Sequence, residues 1–245
     1  MKNLLTLIVF ILFIGCKDKT GKTNESKDSK DSIYKETVIK SADDEDDETV
    51  EEFKETFIDS LTIAAKGKYK IEITQNSTDT ITKVSIALFQ KQNQRWKNIQ
   101  NYILNKESDI PMLPEIEDFN NDGLNDFTIH YAVAARGSND IRKLFIFSKK
   151  ENKFIEIKNS DNYPNLNYNK NLNCIDALSV YGGSTTTFLK LTKDSLTEFA
   201  KVNFMDGDVE SFIIRGNKEI KLYSGKYQGS NDYLVRFSNY NPIEE

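Results

Sequence analysis

From residue 57 onward, apolar side chains return at every second position, and no segment carries the 3.6-residue period of a long amphipathic helix. Tyr69, Ile71 and Ile73 alternate with Lys68, Lys70 and Glu72, and Val84, Ile86 and Leu88 repeat the pattern. A period of two places alternate side chains on one face of a strand, which limits the chain to sheets. Further strands are expected over 144–147, 154–157, 172–181, 188–191, 199–204, 212–214, 220–223 and 233–237. Turn signals separate them at Gly67, Gln92-Asn-Gln94, Asn121-Asp-Gly123, Lys149-Lys-Glu-Asn152, Gly182-Gly183, Asp206-Gly207 and Gly216-Asn217. Short strands joined by such turns predict an antiparallel all-β domain over residues 57–245: a barrel, a sandwich or a propeller-like array.

Within that pattern, residues 118–126 read Asp-Phe-Asn-Asn-Asp-Gly-Leu-Asn-Asp. Asp118, Asn120, Asp122 and Asp126 put side-chain oxygens at positions 1, 3, 5 and 9 of one loop, with the backbone carbonyl of Leu124 at position 7. Gly123 occupies the sharp turn at position 6. Ca²⁺ takes six to eight oxygens at about 2.3–2.6 Å, and this spacing supplies most of them. Without a cation, three carboxylates in so short a loop repel one another. Position 12, where a calcium hand carries a bidentate Glu, is Ile129, and the segment after Asp126 alternates as a strand. The expectation is a calcium staple that closes a loop onto a strand.

The N-terminus reads as an export signal. Lys2 supplies positive charge, and residues 4–14 form an apolar run too short to span about 30 Å of hydrocarbon. Phe13-Ile-Gly-Cys16 ends the run and resembles the lipobox of bacterial lipoproteins, with Phe13 where Leu is usual. The resemblance implies cleavage before Cys16, acylation of that residue, and a membrane anchor without a transmembrane helix. Lys17 rather than Asp follows, so the inner-membrane retention signal is missing and the outer membrane is the expected location, on either face.

Residues 17–56 are expected to be a disordered acidic tether, since Lys, Asp, Ser, Thr and Glu dominate and Asp43-Asp-Glu-Asp-Asp-Glu48 is continuous acid. Residues 1–56 hold nine of the chain's 33 basic and fourteen of its 38 acidic residues, which leaves residues 57–245 formally neutral. A neutral domain gives no electrostatic footprint for nucleic acid, so the partner expected is a protein or a glycan of the cell envelope.

Little else points to catalysis. Cys174 is the one thiol left after Cys16 is acylated, and it is expected to be free and buried. His130, the one histidine, is expected to be a satisfied structural residue. No nucleophile elbow, zinc-helix motif, phosphate loop or Cys-x-x-Cys is present. The chain therefore reads as a binding module rather than an enzyme; the enzyme alternative is a metal-dependent or carboxylate-based glycan hydrolase.

The sequence over about 118–188 resembles exported bacterial proteins with a calcium-binding, β-propeller-like domain, through the loop at 118–126, Gly137-Ser138, the aromatic strand at 144–147 and Gly182-Gly-Ser-Thr-Thr-Thr-Phe188. The loop alone is similar to those of FG-GAP and VCBS repeats, of which one copy is visible here. The propeller-like family is akin to periplasmic inhibitors of invertebrate-type lysozyme, and Ser224-Gly-Lys-Tyr227 resembles their inhibitory loop. That resemblance implies Ser224 and Tyr227 as the pair presented to a lysozyme active site.

Overall fold

The computed structural model describes residues 32–40, 51–78, 81–106, 109–229 and 234–241. They form three antiparallel meanders in chain order, with no α-helix among the described residues and no closure into a barrel. The first sheet runs β1 (Ser32–Lys40), β2 (Glu51–Asp59), β3 (Tyr69–Ser77), β4 (Thr82–Gln92) and β5 (Arg95–Lys106). The second runs β6 (Glu115–Glu117), β7 (Asp126–Ala134), β8 (Asn139–Ser148) and β9 (Lys153–Glu156). The third runs β10 (Asn167–Asn169), β11 (Cys174–Val180), β12 (Ser184–Thr192), β13 (Ser195–Met205), β14 (Asp208–Arg215) and β15 (Lys218–Lys226). Within each sheet every strand pairs with its neighbour in sequence, through two-residue turns at 93–94, 193–194, 206–207 and 216–217 and through longer connections elsewhere. Asn93-Gln94 and Asp206-Gly207 both take positive φ at their two central residues, the geometry that matches strand twist.

The apolar run at 144–147 shows why the second sheet lies between the other two. On β8, Phe145 and Phe147 join one core with Phe57, Ile71, Ile73, Val84 and Leu88 of the first sheet. Leu144 and Ile146, on the opposite face, join Ile175, Ala177, Leu189 and Leu196 of the third. A strand buried on both faces needs no polar alternation, and its sequence reads as a continuous run. Phe127 stacks on Phe145 with centroids 4.7 Å apart and planes within 3°, and meets Phe154 edge-on at the same distance. A third core lies on the far side of the third sheet, where Val235 and Phe237 cover Phe188, Val202 and Phe204.

Two expectations are corrected. Residues 32–40 and 51–56 fall within the expected tether, yet β1 and β2 pair in register, Tyr34 opposite Phe57. Composition misleads there because an antiparallel strand needs only one satisfied inward face. Tyr34 packs on the first core and its hydroxyl donates to buried Glu55 at 2.5 Å. The export signal, Cys16 and the acidic block lie outside the described residues. At the other end, residues 234–237 are not a strand. Ser184 Oγ bonds both N–H and C=O of Val235, and Thr186 Oγ1 accepts from Phe237 N–H, so side chains replace the ladder.

Phe145→Ala removes a ring from the aromatic stack between two sheets, and a loss of about 3–5 kcal/mol is expected. Chemical denaturation should show a lower midpoint; an unchanged midpoint would mean the first and second sheets do not share this core.

Candidate functional site

The loop at 118–126 is the turn of the hairpin between β6 and β7, with Glu117 opposite Asp126. Asn121 and Gly123 take φ of 57° and 82°, conformations that Asn tolerates and Gly adopts freely. Asp118 accepts from Asp122 N–H at 3.2 Å and Gly123 N–H at 2.8 Å. Asn120 Oδ1 accepts from Asp122 N–H at 3.0 Å, and Asp122 from Leu124 N–H at 2.9 Å. These are nested side-chain-to-backbone turns. Leu124 is half-buried against the first core.

Asp126 differs from the other three. It is fully buried, and its two oxygens accept from Phe119 N–H at 2.9 Å and Phe147 N–H at 2.8 Å, which ties the loop to β8. Burial pushes its carboxyl up to about 8, against the pull of those two donors, and Asp122 and Asp118 push the same way. Asn125 meanwhile exchanges two backbone bonds with Ala64 at 3.0 Å, and its amide donates to Thr62 C=O. The loop is therefore a three-way tie among β6–β7, β8 and the connection after β2.

Hard oxygens suit a divalent cation, and a cation would offset the mutual repulsion among Asp118, Asp122 and Asp126. In this arrangement the loop N–H groups occupy those oxygens, and among the described residues no three acidic, histidine or cysteine side chains converge tightly enough to hold a metal ion.

A second polar cluster, unforeseen from sequence, seals the same seam. The segment after β5 crosses between the sheets, and its backbone is caught by buried side chains. Lys106 Nζ and Gln75 Nε2 donate to Ile110 C=O at 2.6 and 3.1 Å, while Glu55 accepts from Met112 N–H at 2.9 Å. Arg142 donates to Leu113 C=O and, at 2.7 Å, to Thr128 Oγ1. Burial brings Lys106 down to about 8, although Glu55 and Asp109 pull it upward. Farther along, the Gln100 amide bonds both N–H and C=O of Phe154, like one rung of a ladder. Regular alternation hides this cluster because Glu55, Gln75 and Lys106 occupy inward positions that usually hold apolar residues.

The remaining sequence candidates separate. Cys174 is free and half-buried, and burial, then Asp176, push its thiol up to about 11, so it stays protonated. His130 differs from expectation: Nε2 lies 3.2 Å from Asp140 Oδ1, but neither ring nitrogen makes a hydrogen bond. Burial lowers its pKa against the pull of Asp140. Ser224 lies within β15, opposite Glu210, rather than on a protruding loop. Tyr227 follows that strand, half-buried, its ring 5.3 Å from Phe204 and 6.0 Å from Phe237. The inhibitor-like pair is thus divided between an exposed strand and a core.

No family model matches the chain, and no curated protein matches it. The chain shows similarity to a solved structure described as a Xanthomonas Type IV Secretion System related protein, with a TM-score of 0.42 and 12% identity over 66% of this chain and 92% of that one. What the fold and site define is an all-β domain of three stacked meanders tied at one loop.

Lys106 gives a pH test. Its folded pKa lies below the unfolded value, so between about 8 and 10.5 the unfolded chain holds a proton that the folded chain has released. The lysine therefore destabilises below pH 8, and the penalty is relieved as pH rises toward 10.5. Melting curves should show wild type gaining on Lys106→Met by up to about 3 kcal/mol over that window. A constant difference from pH 7 to 10.5 would refute a depressed Lys106.

Proposed function

We propose that this chain is a lipid-anchored, non-enzymatic binding module of the bacterial cell envelope, held at the outer membrane through Cys16 and stapled by Ca²⁺ at residues 118–126. The observation that carries the reading is Asp126. A buried carboxylate that joins a loop to the middle sheet is a structural tie, and its oxygens face backbone N–H groups rather than an open cavity. Asp118, Asn120, Asp122, Asp126 and the Leu124 carbonyl would hold the ion, whose charge would keep Asp126 ionised. The non-enzymatic reading is supported by Cys174, whose thiol stays protonated, and by His130, which lies beside Asp140 with both ring nitrogens buried. The anchor is supported by the apolar run and Gly15-Cys16.

Ca²⁺ that binds only the folded chain adds about 2.7 kcal/mol at a hundred times its dissociation constant, or roughly 5–10 °C in a domain of this size. The melting temperature is expected to fall by that amount on chelation and to recover with Ca²⁺, whereas Asp122→Ala should not respond. Equal melting curves for wild type and Asp122→Ala in excess Ca²⁺ would reject the staple. For the anchor, metabolic labelling with a radioactive fatty acid should mark the wild-type chain in the membrane fraction and leave Cys16→Ser unlabelled. Labelling of both, or of neither, would reject lipidation at Cys16.

A further inference from the structure

The third sheet uses one face for two purposes. Over β11 and β12 that face packs on the second sheet through Ile175, Ala177 and Leu189. Over β12–β15 the same face opens into a groove of about 730 Å³. Ligand sites commonly fall within about 300–1,000 Å³. Across its floor runs one transverse row, fixed by register: Ser179 opposite Thr185, Thr185 opposite Asn203, Asn203 opposite Glu210, and Glu210 opposite Ser224. Five successive strands thus present hydroxyl, hydroxyl, amide, carboxylate and hydroxyl in a line. At a strand spacing of about 4.8 Å, the row spans roughly 19 Å.

The rim is built as firmly as the floor. Tyr181 stands 67% exposed at the tight turn between β11 and β12. Its N–H donates to Gly183 C=O at 3.1 Å, and a Cβ at Gly183 would come within 2.4 Å of Phe204 C=O, so the turn is pressed against β13. Met205, 54% exposed, lies on the same rim. Asp206, Asp208 and Glu210 line the groove, and none of its lining residues is Lys or Arg. Lys221 pairs with Glu210 and Lys226 with Asp208, each at 2.6 Å, from outside that lining. Lys221 holds Glu210 below the usual carboxylate range, so it is ionised at neutral pH.

We infer that this groove binds an oligosaccharide bearing free amino groups. A linear chain of pyranose rings offers vicinal hydroxyls at intervals along its length. The row meets them with the donor and acceptor capacity left after Thr185 Oγ1 donates to Asn203 Oδ1 at 3.0 Å and Ser224 Oγ to Glu210 at 3.4 Å. Each ring also has an apolar C–H face that the exposed ring of Tyr181 covers. Ammonium groups of the ligand meet the carboxylates of Asp206, Asp208 and Glu210, displacing Lys226 from Asp208 and Lys221 from Glu210. A cationic peptide fits less well. Peptides gain main-chain bonds by adding along a sheet edge, whereas this row runs across the strands and presents side chains only.

The inference rests on the reading of the chain as a binding module, but not on the calcium loop or the anchor. Titration calorimetry on the folded chain, with a β-1,4-linked glucosamine oligomer, its fully N-acetylated counterpart and an oligolysine of equal charge, provides the test. The glucosamine oligomer is expected to bind at least tenfold tighter than either of the others. Tyr181→Ala, at an exposed position, and Glu210→Gln, at a half-buried one, should each weaken it at least tenfold with unchanged melting temperature. No binding of the glucosamine oligomer overturns the inference, as does undiminished binding by both variants. Equal affinity for the acetylated oligomer removes the role given to the carboxylates, and equal affinity for oligolysine reduces the groove to a cation patch. Release of new reducing ends would confirm the occupant while refuting the non-enzymatic reading, so the two failures are distinguishable.

Discussion

The rest of the structure depends on a middle sheet whose two faces are both buried. Phe127, Phe145 and Phe147 look toward the first sheet, and Leu144 and Ile146 toward the third. A sheet in that position cannot spend one face on water, so its hydrogen-bonding ends must be closed by other means. Asp126 closes one end by receiving N–H groups from Phe119 and Phe147. Asn139 closes another, exchanging amide bonds with the backbone of Val180 in the third sheet. Gln100 serves the edge of β9. In each case a single side chain does what a further strand would otherwise do.

The same logic explains why a polar seam lies so close to an aromatic core. The segment between β5 and β6 crosses from the first sheet to the second and carries backbone groups into the interior. Glu55, Gln75, Lys106 and Arg142 meet them there. Burying charge is costly, as the depressed Lys106 and raised Glu55 pKa values indicate. Leaving Ile110 C=O and Met112 N–H without partners would also be costly, and the network fixes one crossing path where an apolar seam would fix none.

Strand periodicity and turn chemistry were plain in the sequence, since both are local. The turns expected at Gln92-Asn-Gln94 and Asp206-Gly207 form there, and the apolar run at 144–147 is a strand, though its burial on two sides comes from the fold. The loop at 118–126 was legible as four oxygens in register, but its division of labour was not. Spacing treats Asp118 and Asp126 alike, whereas the fold leaves Asp118 in the exposed turn and buries Asp126 under β8. β1 and β2 escape a reading of composition because their inward face mixes Phe57 with Glu55 and depends on Tyr34 meeting Glu55, residues 21 positions apart. Residues 234–237 were misread because alternation marks an extended chain and not its partner, and here the partners are Ser184 and Thr186.

Charge shows the same limit of local reading. Residues 57–245 sum to zero, and a zero sum suggests a featureless surface. Sheet registration places the charges in local clusters instead. Lys35, Lys54, Lys70, Lys83 and Lys91 alternate with the inward residues of β1–β4 and so share the outer face of the first sheet with Glu72. Lys70 lies over Phe89 and Lys91 over Trp96 on that face. In the third sheet, Asp206, Asp208 and Glu210 line the groove, and Lys201, Lys221 and Lys226 share that face, Lys221 paired with Glu210 and Lys226 with Asp208. A field falls off within about 8 Å at physiological salt, so a partner meets one face at a time and never the sum. The neutrality that argues against nucleic acid is therefore an average over local clusters of both signs. Where the three carboxylates line the groove, local shape and ion pairing, and not the net charge, set what the surface presents.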